Sequence, residues 1–319
     1  MRKAIWIVIT LTTLILCCQQ LNKQSITIFH AGSLSMPLKE LSNEFKKKYN
    51  VDVKLESSGS VMAIRKITDL GKKADIIAVA DYTLLRDLYP EYADFYIAFA
   101  KNEIVLCYTN KSRYSDEINA NNWYNILNEK DVRFGFSNPN IDPCGYRTLM
   151  ALKLADDYYG KNIFKKLIIN HTNIKSNGSL IIVPKNIKTD GKIVLRDKSV
   201  DLVALLESGC IDYAFEYKSV ALQHKLKFVE LPDEIDLGNI SIDYNVSVLI
   251  WKDGDKFVQE AKPIIYGVTI LKNSENRELA EKFLDLMLGE EGREIFKKNH
   301  QEFLERPIGY GNLPKLLER

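Results

Sequence analysis

The chain of 319 residues is 46% hydrophobic and 27% charged, ample for a buried core; because a single core seldom grows past about 250–300 residues, two lobes are expected. Its 44 basic and 42 acidic residues leave a formal charge of +2, which gives no support for nucleic-acid binding, since that needs a dense one-sided basic surface. Short basic runs such as Lys46, Lys47 and Lys48 read as a solvated helix face.

Residues 1–24 read as an export leader: Arg2 and Lys3, an apolar run from Ala4 to Leu16, then Cys17, Cys18 and the polar stretch QQLNKQS. The run has the length of a signal h-region and falls short of the ~20 residues that span a bilayer. A cysteine directly behind it resembles the lipid-attachment site of exported lipoproteins, at Cys17 or Cys18, although LILC lacks the small residue usual before that cysteine. An uncleaved anchor is the alternative. Either way the protein is expected outside the cytoplasm, held at the outer face of the membrane by its N-terminus alone. Cys107, Cys144 and Cys210 are odd in number and lack CxxC spacing, so at least one thiol stays unpaired. His30, His171, His224 and His300 show no metal-ligand spacing and read as structural.

From there strand and helix patterns alternate. Residues 26–30 (ITIFH) predict a strand, 36–49 a helix with apolar Leu38, Leu41 and Phe45, 51–55 a strand, 61–70 a helix and 75–80 (DIIAVA) a buried strand. This is the start of a parallel α/β sheet. A second unit follows residue 103, with strands at 104–108 (IVLCY), 132–136 (VRFGF) and 211–215 (IDYAF) and a helix at about 145–159. The polar stretch at about 171–198 reads as an insert, an excursion with short strands around LIIVP and KIVLR. YGVTIL at 266–271 is a strand, followed by helices at 277–288 and 291–299. The lobe crossing is expected at about 97–105 and the return at about 262–271. Residues 25–102 plus 268–319 then form lobe 1 and residues 103–267 lobe 2, with a hinged cleft between them.

Two features of the strand-to-helix turns conflict. AGSLS at 31–35 and ESSGS at 56–60 suit an oxyanion. A helix N-terminus presents unpaired N–H groups and a partial positive charge, Ser33 and Ser60 add hydroxyl donors, and Gly32 and Gly59 admit close approach. Asp142 in SNPNIDPCGYR and Glu216 in IDYAFEYKSVA instead repel an anion, yet each stands at the end of a strand-like run, where open sheets bind ligands. The plainer readings are N-capping for Ser33, Ser60 and Asp142, the last followed by Pro143, and a salt bridge for Glu216, with Ser219 capping the next helix.

The turns HAGSL and SSGSV, the segments NPNIDPCGYR and IDYAFEYKSVA, and the ending PIIYGVTILKNSENRELAEKFLDLM together resemble the archaeal tungstate and molybdate substrate-binding proteins of ABC transporters, relatives of the bacterial molybdate-binding protein. The likeness runs from about Ile26 to Leu317. It implies an α/β fold of the two-lobe type II periplasmic-binding class: each lobe a mixed, mainly parallel sheet flanked by helices, with the ligand in the cleft. It implies tungstate or molybdate as a transported ligand, not a cofactor, held in six-fold coordination, with Asp142 and Glu216 joining four oxo groups around the metal. Ser33 and Ser60 would donate to the oxo groups, with backbone N–H groups near Cys144 and Tyr217 as weaker candidates. The implied partners are a permease and its ATPase, with the binding protein itself a monomer.

This would remove the conflict, since hexavalent tungsten or molybdenum can accept two further oxygen donors. Other readings remain open from the residues alone. An exported enzyme could use Asp142 and Glu216 as acid and base, although no HExxH, phosphate loop or nearby histidine supports it. A binding protein for sulfate, phosphate or ferric iron is also conceivable, the last through Tyr146 and Tyr217.

Overall fold

The structure, a computed structural model, describes residues 24–252 and 255–315. The expected leader with Cys17 and Cys18 lies outside the described residues. Among the described residues no helix is long and apolar enough to cross a membrane.

The strands run in chain order β1 (Ser25–Ala31), β2 (Asp52–Ser58), β3 (Ile76–Val79), β4 (Phe95–Asn102) and β5 (Ile104–Tyr108). Next come β6 (Phe134–Ser137), β7 (Lys175–Asn177), β8 (Leu180–Ile182), β9 (Ile193–Arg196), β10 (Tyr213–Tyr217) and β11 (Lys227–Glu230). The last are β12 (Ser247–Lys252), β13 (Asp255–Glu260), β14 (Ile264–Ile270) and β15 (Glu302–Gly311). They form three sheets, ordered β15-β4-β14-β3-β1-β2, β11-β5-β10-β6-β9 and β13-β12-β8-β7.

Both large sheets are mixed. β1 pairs in parallel with β2 and β3, and β6 in parallel with β9 and β10, so the carboxyl ends of these strands collect at one edge of each sheet. The antiparallel pairings belong to β14 against β3 and β4, to β15 against β4, and to β5 against β10 and β11. β3 is buried at every residue, as its unbroken IIAV run requires of a strand covered on both faces.

Glu103 alone separates β4 of the first sheet from β5 of the second. The chain returns through residues 261–263 into β14, whose Ile264 pairs with Asn102. Two adjacent crossings between the sheets are what a two-lobe binding fold requires. The C-terminal helices lie on the first sheet: the helix Ser35–Tyr49 buries Leu38, Leu41 and Phe45, and Phe45 meets Phe283 of the helix Arg277–Leu288 with ring centroids 5.2 Å apart.

The stretch expected to be an insert is more integrated than its composition suggests. Ile193–Arg196, the KIVLR run, is the edge strand of the second sheet, in parallel register with β6. β7 and β8 do form a hairpin, but β8 also pairs with β12, which makes it part of the third sheet. Residues 95–102, most of the expected crossing zone, are a strand almost entirely buried in the first sheet.

Candidate ligand-binding site

The parallel strands of both large sheets end on a common buried surface between the lobes. Gly32 and Gly59 follow β1 and β2, and each is pressed against the opposite lobe. A Cβ on Gly59 would lie 2.6 Å from the Ile141 carbonyl oxygen and 3.1 Å from Asp142 Cβ; one on Gly32 would lie 2.9 Å from Val200 Cγ2. Glycine at these positions admits contact between lobes, and the turn carrying Ser60 thereby meets the turn carrying Asp142.

Ser33 is 3% and Ser60 0% exposed, and neither caps a helix. Ser33 Oγ accepts from Tyr266 Oη at 2.8 Å, and that phenol accepts in turn from Asn102 Nδ2 at 3.2 Å. Ser60 Oγ accepts from the Ala80 N–H at 2.9 Å. In both cases a protein donor occupies a lone pair, so the hydroxyl's own proton is left for another acceptor. The expectation of free N–H groups at the second turn does not hold throughout, because those of Val61 and Met62 donate to the Ile141 carbonyl at 3.1 and 3.3 Å.

Asp142 is the N-cap of the helix Pro143–Tyr158 by position, with Pro143 in the first turn, but its side chain makes no capping bond. Its Oδ2 accepts instead from the Ser199 N–H at 3.0 Å, in the turn after β9. Burial pushes the carboxyl up to about 6, against the pull of hydrogen bonds that include the Ser199 N–H. Ser199 was not legible in the sequence, because β9 itself read as part of an excursion.

Glu216 lies inside β10 rather than beyond it, and is 0% exposed. Its Oε2 accepts from the Tyr217 N–H at 3.0 Å, so that N–H holds the carboxylate. Oε1 is buried and has no hydrogen-bond partner among the described residues. Burial, helped by the neighbouring Asp142 charge, pushes Glu216 up to about 8. The salt-bridge reading is not met, since no basic side chain pairs with Glu216 among the described residues. Ser219 does not cap the following helix either; its Oγ accepts from Asn102 Nδ2 at 2.8 Å. The hydroxyls of Ser57 and Ser58, at the end of β2, are also buried without partners.

Behind these groups lies Arg147, 3% exposed and the only fully buried Arg or Lys among the described residues. It donates to the Ala80 carbonyl at 2.7 Å and to Tyr217 Oη at 2.9 Å. Tyr217 packs edge-on against Tyr266, with centroids 5.9 Å apart, which links Ser60, Arg147 and Ser33 through a continuous buried framework. Cys144 is buried and free, its Sγ 3.8 Å from the Phe215 carbonyl oxygen.

Tyr146 and Tyr217, the pair considered for iron, have their phenols engaged by Asp81 and Arg147, and burial pushes both well above the usual range. Neither is arranged as a phenolate ligand. Among the described residues no group of three or more His, Cys, Asp or Glu could hold a metal ion. What the arrangement offers is two buried carboxylates facing hydroxyl donors, a donor set too small for a bare cation and too negative for a simple anion.

A family model described as bacterial extracellular solute-binding protein matches residues 26–301. The chain belongs to this solute-binding family. As a member it works outside the cytoplasm. It is 53% identical over 303 residues to the molybdate/tungstate-binding protein WtpA of Pyrococcus abyssi, an alignment covering 91% of this chain and 88% of that one. Its fold is also that of the Azotobacter vinelandii periplasmic molybdate-binding protein (TM-score 0.63, 16% identity, 88% of this chain and 100% of that one). The sulfate-binding protein SubI of Mycobacterium tuberculosis shares the fold as well (TM-score 0.61, 13% identity, 88% of each chain). These relatives are binding proteins rather than enzymes, and the two structural likenesses leave the cargo of this family member to be argued from the site.

Proposed function

We propose that this solute-binding protein captures tungstate or molybdate between its lobes and delivers it to the permease and ATPase of an ABC importer. Asp142 and Glu216 each give one oxygen to the metal, completing six-fold coordination around four oxo groups. Ser33 and Ser60 donate their free protons to oxo oxygens, and the backbone N–H at Cys144 is a further donor. The protein acts as a monomer, tethered at the outer face of the membrane through its N-terminal leader at Cys17 or Cys18.

The observation that carries this reading is Glu216 Oε1, a buried carboxylate oxygen without a protein partner. Leaving such a group unpaired costs several kcal/mol, and a strong Lewis acid at that point offsets the cost. Tungsten(VI) and molybdenum(VI) accept two extra donors readily, whereas sulfur and phosphorus in sulfate and phosphate do not. Those ions would meet two carboxylates with no compensating bond, and even about 3 kcal/mol of penalty gives roughly a hundredfold discrimination.

Calorimetry with tungstate, molybdate, sulfate and phosphate tests the reading. Wild-type protein should bind only the first two tightly, and Asp142→Ala with Glu216→Ala should abolish that preference. A double variant with unchanged preference for tungstate over sulfate would refute it.

A further inference from the structure

Asp81 follows β3 in the first lobe and is 3% exposed. Its two carboxylate oxygens divide their tasks. Oδ1 serves its own turn, accepting from the Thr83 N–H at 3.0 Å and from Thr83 Oγ1 at 2.7 Å. Oδ2 is used by residues 65 to 178 positions away in sequence: Tyr146 Oη donates to it at 2.5 Å, Gln259 Nε2 at 3.3 Å, and Arg147 Nη2 pairs with it at 3.2 Å. Tyr146 and Arg147 lie on the helix that begins beside Asp142, and Gln259 lies on β13 of the third sheet. That sheet is tied to the Asp142 turn, since the Trp251 N–H donates to Asn140 Oδ1 at 2.8 Å.

We propose that Asp81 is a positioning residue for ligand capture: through Oδ2 it latches the first lobe to Tyr146, Arg147 and Gln259 and sets how slowly a bound oxyanion escapes, without touching the oxyanion. The proposal rests on the reading that the oxyanion is held between the lobes. Two features support a latch over general packing. The contacts join Asp81 of the first lobe to residues of the second and third sheets, and they surround a buried cation whose bond to the Ala80 carbonyl also joins the two lobes, its remaining bond going to Tyr217 Oη. Ala80 in turn holds Ser60 through its N–H, so seating Arg147 and orienting Ser60 are one event. When the lobes part, Asp81 and Arg147 return to water and their pairing is lost. Removing one partner of such a buried pair leaves the other charge uncompensated in the shut form only, and the effect falls on dissociation.

The test is stopped-flow release of tungstate from Asp81→Asn protein, with Gln259→Ala as a milder second variant. Asp81→Asn keeps an acceptor for the Thr83 N–H but loses the charge. Its release rate should rise roughly thirtyfold or more, with association nearly unchanged, the ratio of tungstate to molybdate affinity unaltered, and the ligand-free melting temperature preserved. Gln259→Ala should shift release in the same direction by less. Release at the wild-type rate in both variants overturns the latch. Equal loss of melting temperature with and without tungstate also overturns it, because that is the signature of plain packing. Failure of wild-type protein to bind tungstate overturns the cargo reading beneath it, whereas wild-type binding with unaltered release in the variants overturns the latch alone.

Discussion

Glu216 should make closure of the ligand-free protein depend on pH. In the closed cleft burial pushes its carboxyl up to about 8 from an ordinary 4.5, whereas an open, hydrated cleft returns it toward the ordinary value. The closed form therefore binds a proton that the open form lacks between those two values. Closure is most favoured below about 4.5, is weakened as pH rises through the window, and reaches its full penalty above about 8. At about 1.4 kcal/mol per pH unit the span is on the order of 5 kcal/mol, larger than the few kcal/mol that usually separate two lobe arrangements. Small-angle scattering of ligand-free protein should show a compact particle near pH 5 and an expanded one near pH 9. Glu216→Gln keeps the shape and an acceptor for the Tyr217 N–H but never ionises, so this variant should stay compact far longer. Asp142, pushed up to about 6, adds a smaller share in the lower half of the window. Saturating tungstate should hold the wild type compact throughout. A radius of gyration independent of pH in ligand-free wild type, or expansion of Glu216→Gln identical to wild type, would refute the reasoning.

Other outcomes follow from the same geometry. Tungstate affinity should fall as pH drops below about 8, where protons compete with the metal for Glu216, and more steeply below about 6, where they compete for Asp142 as well, and the preference over sulfate should narrow as the repelling charge disappears; calorimetry at about pH 8, 6 and 5 that shows neither change contradicts this. Ser33→Ala and Ser60→Ala each remove one hydrogen bond to a charged ligand, worth about 1.5–3 kcal/mol, so each should weaken tungstate binding roughly 10- to 100-fold. A loss below about twofold in both would remove the serines from the site. Gly59→Ala places a Cβ 2.6 Å from the Ile141 carbonyl oxygen. The variant should fold normally yet fail to compact on adding tungstate, and normal compaction in scattering would contradict the role given to this contact.

The strand-to-helix turns and the two carboxylates proposed for the site were legible because their signals are local. ITIFH followed by AGS, and a strand followed by IDP, each place a strand end, a small residue and a helix start within a few positions. The partners that give these residues their chemistry were not legible. Tyr266, Ser199, Arg147 and Asp81 act across 57 to 233 positions of sequence, and no periodicity encodes such pairings. Arg147 reads locally as an ordinary helical arginine, and only the fold reveals that it is buried between Ala80, Asp81 and Tyr217. Some strands escaped for compositional reasons: Asp255–Glu260 is largely exposed, and Glu302–Gly311 is an edge strand interrupted by Pro307 and two glycines. Ile193–Arg196 was legible as a short strand but, set among Lys, Asn and Gly, not as the edge of the second sheet.

Tungsten X-ray absorption on tungstate-loaded protein tests the central claim most directly. Four short oxo bonds and two longer oxygen bonds are expected in the wild type, with the two longer ones lost when Asp142 and Glu216 are both replaced by alanine. A tetrahedral spectrum in the wild type, with four oxygens and no longer shell, would contradict the role of the two carboxylates as ligands to the metal.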